Sequence, residues 1–257
     1  MTLFRRRPRL AILPFSGMIS QRSVEPYLPL VAALERDRRV AGVLLWLGTS
    51  GGSATASELL YFALGRLARA KPLHAYAPLA ASGGYWLACA AARITAPPTG
   101  MVGSIGVLSV KPVLEGALAR LGIQVEVFTK GSEKGALLPL GPTPDAARAS
   151  LDAVQAAIYE RFIDVVAAAR RLAPEAVRAL ATGALFPADA ARAAGLLDAV
   201  GEPEAAIEAL AREAGVDPRR RVTTRPRRSL LSRIAGHAAA ALADELEMRL
   251  AAPPGGW

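Results

Sequence analysis

The 257-residue chain is poor in the side chains that usually do chemistry: one cysteine, two histidines and four lysines. The single cysteine, Cys89, excludes a disulfide framework, and its place in an apolar run marks it as a small core residue. His74 lies in a strand-like run and His237 in the C-terminal tail, so a Ser-His-Asp triad is poorly supported. The acidic groups around Glu25 and at Asp244-Glu245-Glu247 have no neighbouring histidine or cysteine and read as solvated helix faces rather than a metal site. Neither GxGxxG nor GxxxxGK[ST] occurs, which argues against a phosphate cradle.

Long hydrophobic runs are also missing. Hydrophobic residues make up 52% of the chain, but no stretch reaches the roughly eighteen uninterrupted apolar residues of a membrane-spanning helix. The opening MTLFRRRPRLAILPFSGMIS imitates a signal peptide, yet Pro14 interrupts it, no small-x-small cleavage site follows, and LAILPF reads as a first buried strand. The expected location is cytoplasmic, or peripheral on the cytoplasmic membrane, with no transmembrane anchor. The formal charge of +9 is spread along the chain, with dense clusters only at Arg5 to Arg9 and at 219–233. Neither cluster is interleaved with aromatics, so no nucleic-acid partner is expected. Such blocks are usually solvated, with anionic membrane as the next partner to consider.

What is present is an alternation of strands and helices. RLAILPF, VAGVLLWL, PLHAYA, SIGVLSV and IQVEVF read as short β-rich runs. Helical patterns fall at 23–37, 53–70, 83–92 and 112–121, then at 145–171, 174–181, 187–194 and 202–214. This succession predicts an α/β fold with a mostly parallel sheet covered by helices. Composition changes after Val216, so residues 1–216 are expected to form one catalytic domain. Residues 217–257 are expected to be a basic linker and a C-terminal amphipathic helix, packing on its own domain, a neighbouring subunit or a membrane surface.

One junction carries the chemistry. In PLAASGGYWLACAAA, residues 78–92, Ser82 stands where a strand gives way to a helix, placing its hydroxyl among unpaired backbone N–H groups. That geometry suits a nucleophile and a plain helix cap equally. A nucleophilic serine needs a base. With 27 of 31 basic residues being arginine, the four lysines, Lys71, Lys111, Lys130 and Lys134, draw notice because only lysine can lose its proton when desolvated. Two of them share the loop TKGSEKG. Glycines that let backbone N–H groups approach an oxyanion occur beside Ser82, at Gly83, and in the turn TSGGS at 49–53.

The runs AGVLLWLGTSGGSATASELL, AASGGYWLA, TGMVGSIGV, TKGSEKG and ATGALFPADAARAAGLLDAVG occur in that order. Together they resemble the signal peptide peptidase A family of Ser-Lys serine proteases, over roughly residues 9 to 216. The resemblance implies a Clp/crotonase-like fold of repeated ββα/βαβ units. It also implies Ser82 as nucleophile, Lys134 as general base with Lys130 as competitor, Ser104 as the hydroxyl orienting the lysine, and an oxyanion hole from Gly83 with Gly52 or Gly51. No metal or other cofactor is called for. The implied partners are hydrophobic peptides and further copies of the chain in a ring-like homo-oligomer. Two departures stand out: the family's Ser-Pro-Gly-Gly is Thr49-Ser50-Gly51-Gly52 here, and no N-terminal anchor is seen. A catalytically silent, membrane-associated scaffold of the same fold is the alternative, and a crotonase-like acyl-CoA enzyme a weaker third.

Overall fold

The structure is a computed structural model and describes residues 7–226. Its contacts separate a unit ending at Thr224 from Arg225–Trp257. The expected tail helix, with His237 and the 244–247 acidic group, lies outside the described residues.

In chain order the elements are β1 (Arg9–Ser16), α1 (Gln21–Val24), α2 (Tyr27–Arg36), β2 (Val40–Thr49), α3 (Ala54–Ala70) and β3 (Leu73–Ala81). Then follow α4 (Gly83–Ala88), β4 (Arg93–Ala96), β5 (Met101–Gly103), α5 (Glu115–Arg120), α6 (Asp145–Arg170) and α7 (Pro174–Leu180). The body closes with β6 (Leu185–Pro187), α8 (Ala188–Ala193), β7 (Ala199–Val200), α9 (Pro203–Ala214) and β8 (Arg221–Thr223). The sheet runs β6-β5-β3-β2-β1-β8, with β4 and β7 branching from β3. Every pairing is parallel except β5 with β6.

Why β2 is apolar almost without interruption is now clear. Val43, Leu45 and Leu47 enter the main core beneath α3 and α4, while Leu44 points to the opposite face, where Leu10, Tyr76 and α9 residues Ile207 and Leu210 form a second cluster. A central parallel strand buried on both faces loses the polar alternation of an exposed one. The first three strands match their sequence patterns.

Two expected strands do not form. Residues 104–110 leave the sheet, and the ladder is made instead by the three residues before them, Met101–Gly103. IQVEVF (123–128) pairs with nothing among the described residues. Its alternating pattern fits a half-buried strand, but none of the residues between Ile105 and Ala147 is buried. The sheet also continues past Val216, because Arg221–Thr223 pairs with Leu10–Ile12 of β1.

Candidate active site

In an open parallel sheet, ligands collect beyond the carboxyl ends of the strands, where the connecting loops diverge. Three neighbouring strands end here in the three motifs picked out from the sequence. β2 runs into Gly51-Gly52, β3 into Ser82, and β5 into Ser104. The Ser82 N–H donates to the Gly103 carbonyl at 2.8 Å, tying the turn after β3 to the end of β5.

Ser82 is held at φ 52°, ψ −123°, a conformation that costs a non-glycine residue about 1–3 kcal/mol. Ser104 is at φ 50°, and Arg171 is the only other non-glycine residue with positive φ among those described. Two of the three strained positions are thus the two serines of the predicted site. Strain that persists in only a few places is held by the surrounding structure, and it collects where a side chain must point in an awkward direction. The Ser82 side chain accepts no cap hydrogen bond, so the plain-cap reading of this serine fails.

The glycines explain how the turns meet. Gly51, at φ +98°, passes so close to Ser82 that a Cβ would lie 2.7 Å from the Ser82 Cβ and 2.9 Å from the Gly83 nitrogen. Gly52 backs onto Ile19, whose carbonyl leaves no space for any side chain, and Ile19 bridges the turn by accepting from the Ser53 N–H and donating to the Gly51 carbonyl. Gly83 faces the Ser57 hydroxyl, which fills the volume a Cβ would need. The N–H groups of Gly52 and Gly83 have no acceptor among the described residues, whereas the Gly51 N–H donates to Thr49 Oγ1 at 3.0 Å. Of the three glycines expected to donate to an oxyanion, Gly51 is therefore already engaged and contributes the shape of the turn instead.

That bond also answers the missing proline. Thr49 is buried, and its hydroxyl clasps the residue two positions on, a side-chain turn that stiffens the Gly-Gly segment without a pyrrolidine ring. Its Cγ2 lies 2.6 Å from where a Gly84 Cβ would stand, so one side chain supports both turns.

Sequence reading missed Thr49 and Ser57 as members of this site. Ser57 had a visible signal: it is a polar residue on the buried stripe of α3, with Leu60, Leu64 and Leu67. Its hydroxyl donates to the Ser53 carbonyl at 2.8 Å.

Helix α4, which begins beside Ser82, is buried throughout. Trp86 stacks on Phe162 of α6 with ring centroids 4.8 Å apart, and the Tyr85 hydroxyl donates to the Leu196 carbonyl at 2.8 Å. Cys89, at the end of this helix, is a core thiol pushed up to about 12 by burial, which Arg170 only partly offsets. A group so far from ionisation is no nucleophile.

Among the described residues no lysine is hydrogen-bonded to Ser82. Lys71 donates to the carbonyls of Leu34, Asp37 and Val40 at 2.7, 3.0 and 2.9 Å, a structural staple. Burial lowers its pKa, against the opposing pull of Asp37 and Glu35. Lys111 bonds the Ala136 carbonyl and Thr143. Lys130 and Lys134 are exposed on the arm spanning 107–143, and no hydrogen bond links either amine to Ser82 or Ser104 within the chain. His74, as expected, is a packed residue: its Nε2 meets Glu213 Oε2 at 2.7 Å, pointing to α9 and not to Ser82.

Comparison with known proteins follows the same residues. The description of peptidase family S49 matches residues 66–217, a stretch that contains Ser82, Ser104 and Lys134. The chain is similar to a putative protease, MJ0651, of Methanocaldococcus jannaschii, with 34% identity over 74% of this chain and 61% of that protein. Protease 4 of Salmonella typhi is 32% identical over 66% of this chain and 28% of its own length. A putative signal peptide peptidase SppA of Enterococcus faecium is 28% identical over 73% and 55%, so the chain spans between about a quarter and three fifths of these relatives. With more than half of its length matched and the strained serine inside the match, the chain belongs to peptidase family S49.

Proposed function

We propose that the chain is a serine endopeptidase that hydrolyses hydrophobic peptides, such as remnant signal peptides or segments of misfolded membrane proteins, with Ser82 as nucleophile and Lys134 as base. The observation that carries this reading is the strained Ser82, followed by Gly83 and packed against the Gly51-Gly52 turn, with the N–H groups of Gly52 and Gly83 having no acceptor among the described residues. A plain structural turn has no use for either feature. Backbone N–H donors left without an acceptor beside a nucleophile are what a developing oxyanion requires.

In this mechanism neutral Lys134 removes the Ser82 proton as the oxygen attacks the peptide carbonyl. The Gly52 and Gly83 N–H groups bind the oxyanion, and the lysinium then protonates the leaving amine. Water hydrolyses the acyl-enzyme by the same route. Ser104, strained at the end of the neighbouring strand, is the hydroxyl assigned to orient the amine. Because Lys134 is exposed on the arm and unbonded to Ser82 in one chain, assembly with further copies, as a ring-like homo-oligomer, is part of the proposal. Closure of such a ring would also exclude water from the amine.

No helix among the described residues is long and apolar enough to cross a membrane. The proposal places membrane contact, if the chain works there, at the basic segments Arg5 to Arg9 and 219–233 and the tail beyond them.

The exposure of Lys134, with no hydrogen bond to Ser82, also favours a second reading, a silent scaffold that keeps the fold without the reaction. The deciding experiment is cleavage of a fluorogenic peptide with an apolar residue before the scissile bond, by wild type, Ser82→Ala, Lys134→Ala and Lys134→Arg. Activity in wild type alone supports the dyad; full activity in Lys134→Arg removes Lys134 as base; no activity in any oligomeric fraction supports the scaffold.

A further inference from the structure

The arm that carries Lys134 has little to hold it. Between Ile105 and Ala147 no described residue is buried, and none of 107–143 joins the sheet. The turn at Gly131–Leu138 is closed by its own backbone bonds: Lys134 N–H to the Gly131 carbonyl at 3.1 Å, Ala136 to Glu133 at 3.1 Å and Leu138 to Gly135 at 2.8 Å. Such local bonds shape a turn but do not fix where it points. Two links do that. The Leu114 N–H donates to the Pro139 carbonyl at 2.8 Å. Lys111 Nζ donates to the Ala136 carbonyl at 2.7 Å and to Thr143 Oγ1 at 3.1 Å.

Among the described residues these are the only side-chain hydrogen bonds made by residues 107–143, and they come from one ammonium. Lys111 is half-buried in a stretch whose neighbours are exposed. One of its acceptors lies inside the turn, two residues after Lys134, and the other lies just before α6, where the arm rejoins the body.

From this geometry we infer that Lys111 is a positioning residue, whose charged amine clamps the Lys134 turn to both legs of the arm and so fixes the direction in which Lys134 is presented. The inference rests on the reading of Lys134 as base. It divides the labour between two lysines of one arm: Lys111 ties two oxygen acceptors on different segments together, and Lys134 is the base that this tie presents. Arginine is a poor substitute for Lys111, since its planar fork cannot direct compact tetrahedral bonds to a carbonyl and a hydroxyl on two different segments. Lys71 uses the same chemistry in the body, with three carbonyls around one amine.

The test compares wild type with Lys111→Ala, Lys111→Arg and Thr143→Val. A misplacement of about 1 Å costs on the order of 100-fold, so kcat of Lys111→Ala should fall about 10- to 100-fold with KM nearly unchanged. The melting temperature should stay at the wild-type value, because the arm supplies nothing to the core. Added n-propylammonium should restore part of the kcat in Lys111→Ala, which a general packing role would not allow. Thr143→Val should lose less than Lys111→Ala, because the bond to Ala136 remains, and should add nothing on top of it. Hydrogen exchange separates this proposal from the dyad itself: amides of 131–138 should exchange faster in Lys111→Ala while β1–β3 do not change. Wild-type kcat in Lys111→Ala, or wild-type exchange in that turn, overturns the inference. Faster exchange in a protein that cleaves nothing keeps the clamp and discards the base.

Discussion

The contact between Gly83 and Ser57 can be tested by breaking it from both sides. Replacing Gly83 by alanine puts a methyl group onto the Ser57 hydroxyl. The cheapest relief is to rotate that hydroxyl away, which breaks its 2.8 Å bond to the Ser53 carbonyl in a site with no exposure to water. An unpaired buried hydroxyl costs about 1–3 kcal/mol, and overpacking a tight site costs a similar amount. The intrinsic gain of alanine over glycine in a helix offsets at most about 1 kcal/mol. Gly83→Ala should therefore destabilise by roughly 2 kcal/mol, a fall of about 4–8 °C at the usual 2–4 °C per kcal/mol for a domain of this size.

Ser57→Ala should be close to neutral by itself, because the Ser53 carbonyl keeps the Ser57 N–H at 3.0 Å. In the double variant the nearest atoms to the added methyl are the Ile19 Cδ1 at 3.2 Å and the Ser57 Cβ at 3.3 Å, contacts that relax with shifts of a few tenths of an ångström. Most of the lost stability should return, giving a coupling of about 2 kcal/mol between the positions. Since alanine keeps its backbone N–H, peptide hydrolysis should return with it. Urea unfolding of the four proteins measures the coupling. Additive effects, or a Gly83→Ala protein as stable as wild type, would refute the packing argument.

Three further outcomes are expected. Ser82→Gly should abolish hydrolysis and raise stability by about 1 kcal/mol, the relief of strain less the entropy of glycine; an unfolding midpoint at or below that of wild type would mean that φ 52° is not a strained position here. Burial would raise the Asp198 carboxyl, but bonds from Arg170 and the Ile94 N–H outweigh it and hold the group below its usual range. Its contribution to stability is then present above the unfolded value near about 4 and disappears as pH falls through the lower folded value. Asp198→Asn should cost about 1–3 kcal/mol at pH 7, as the Arg170 side chain is only 7% exposed, and progressively less below pH 4. A penalty that does not shrink in acid would contradict this. Deleting residues 227–257 should remove binding to anionic vesicles; cutting there, and not at 217, keeps the Arg221–Thr223 strand, and retained binding would clear the tail of that role.

How much was readable in advance depended on whether a segment's partners lay in its own chain. β1, β2 and β3 bury both faces against neighbours in the body, so their apolar runs meant what they usually mean. The turns at Ser82 and Gly52 were legible because a glycine pair at a strand end admits few geometries, while the part of Thr49 in its turn was not, because it depends on a hydroxyl turning back on a residue two positions ahead. The lysine bias was read for too narrow a reason. Lys71 and Lys111 show that lysine is also kept where one small cation must satisfy several oxygen atoms.

IQVEVF failed as a strand for a different reason, and that reason supports the proposed assembly. Eleven of the seventeen exposed large apolar side chains among the described residues fall in the arm, including Leu108 at 84% and Phe128 at 91% exposure. So much apolar exposure concentrated in one segment is unusual for a molecule that works alone. If further copies cover the arm, its strand-like pattern reflects burial that one chain cannot supply, and Lys134 on the same arm is brought to a site at the same time. Phe128→Glu tests the two together. Losing the burial of one phenylalanine costs about 2 kcal/mol per contact, or about 30-fold in the dissociation constant. Light scattering should show smaller particles at a given concentration, and hydrolysis should fall in step with them, while the melting temperature of the body holds because no core residue is touched. An unchanged particle mass with unchanged kcat would mean that the arm is neither the seam between copies nor the route by which Lys134 reaches Ser82.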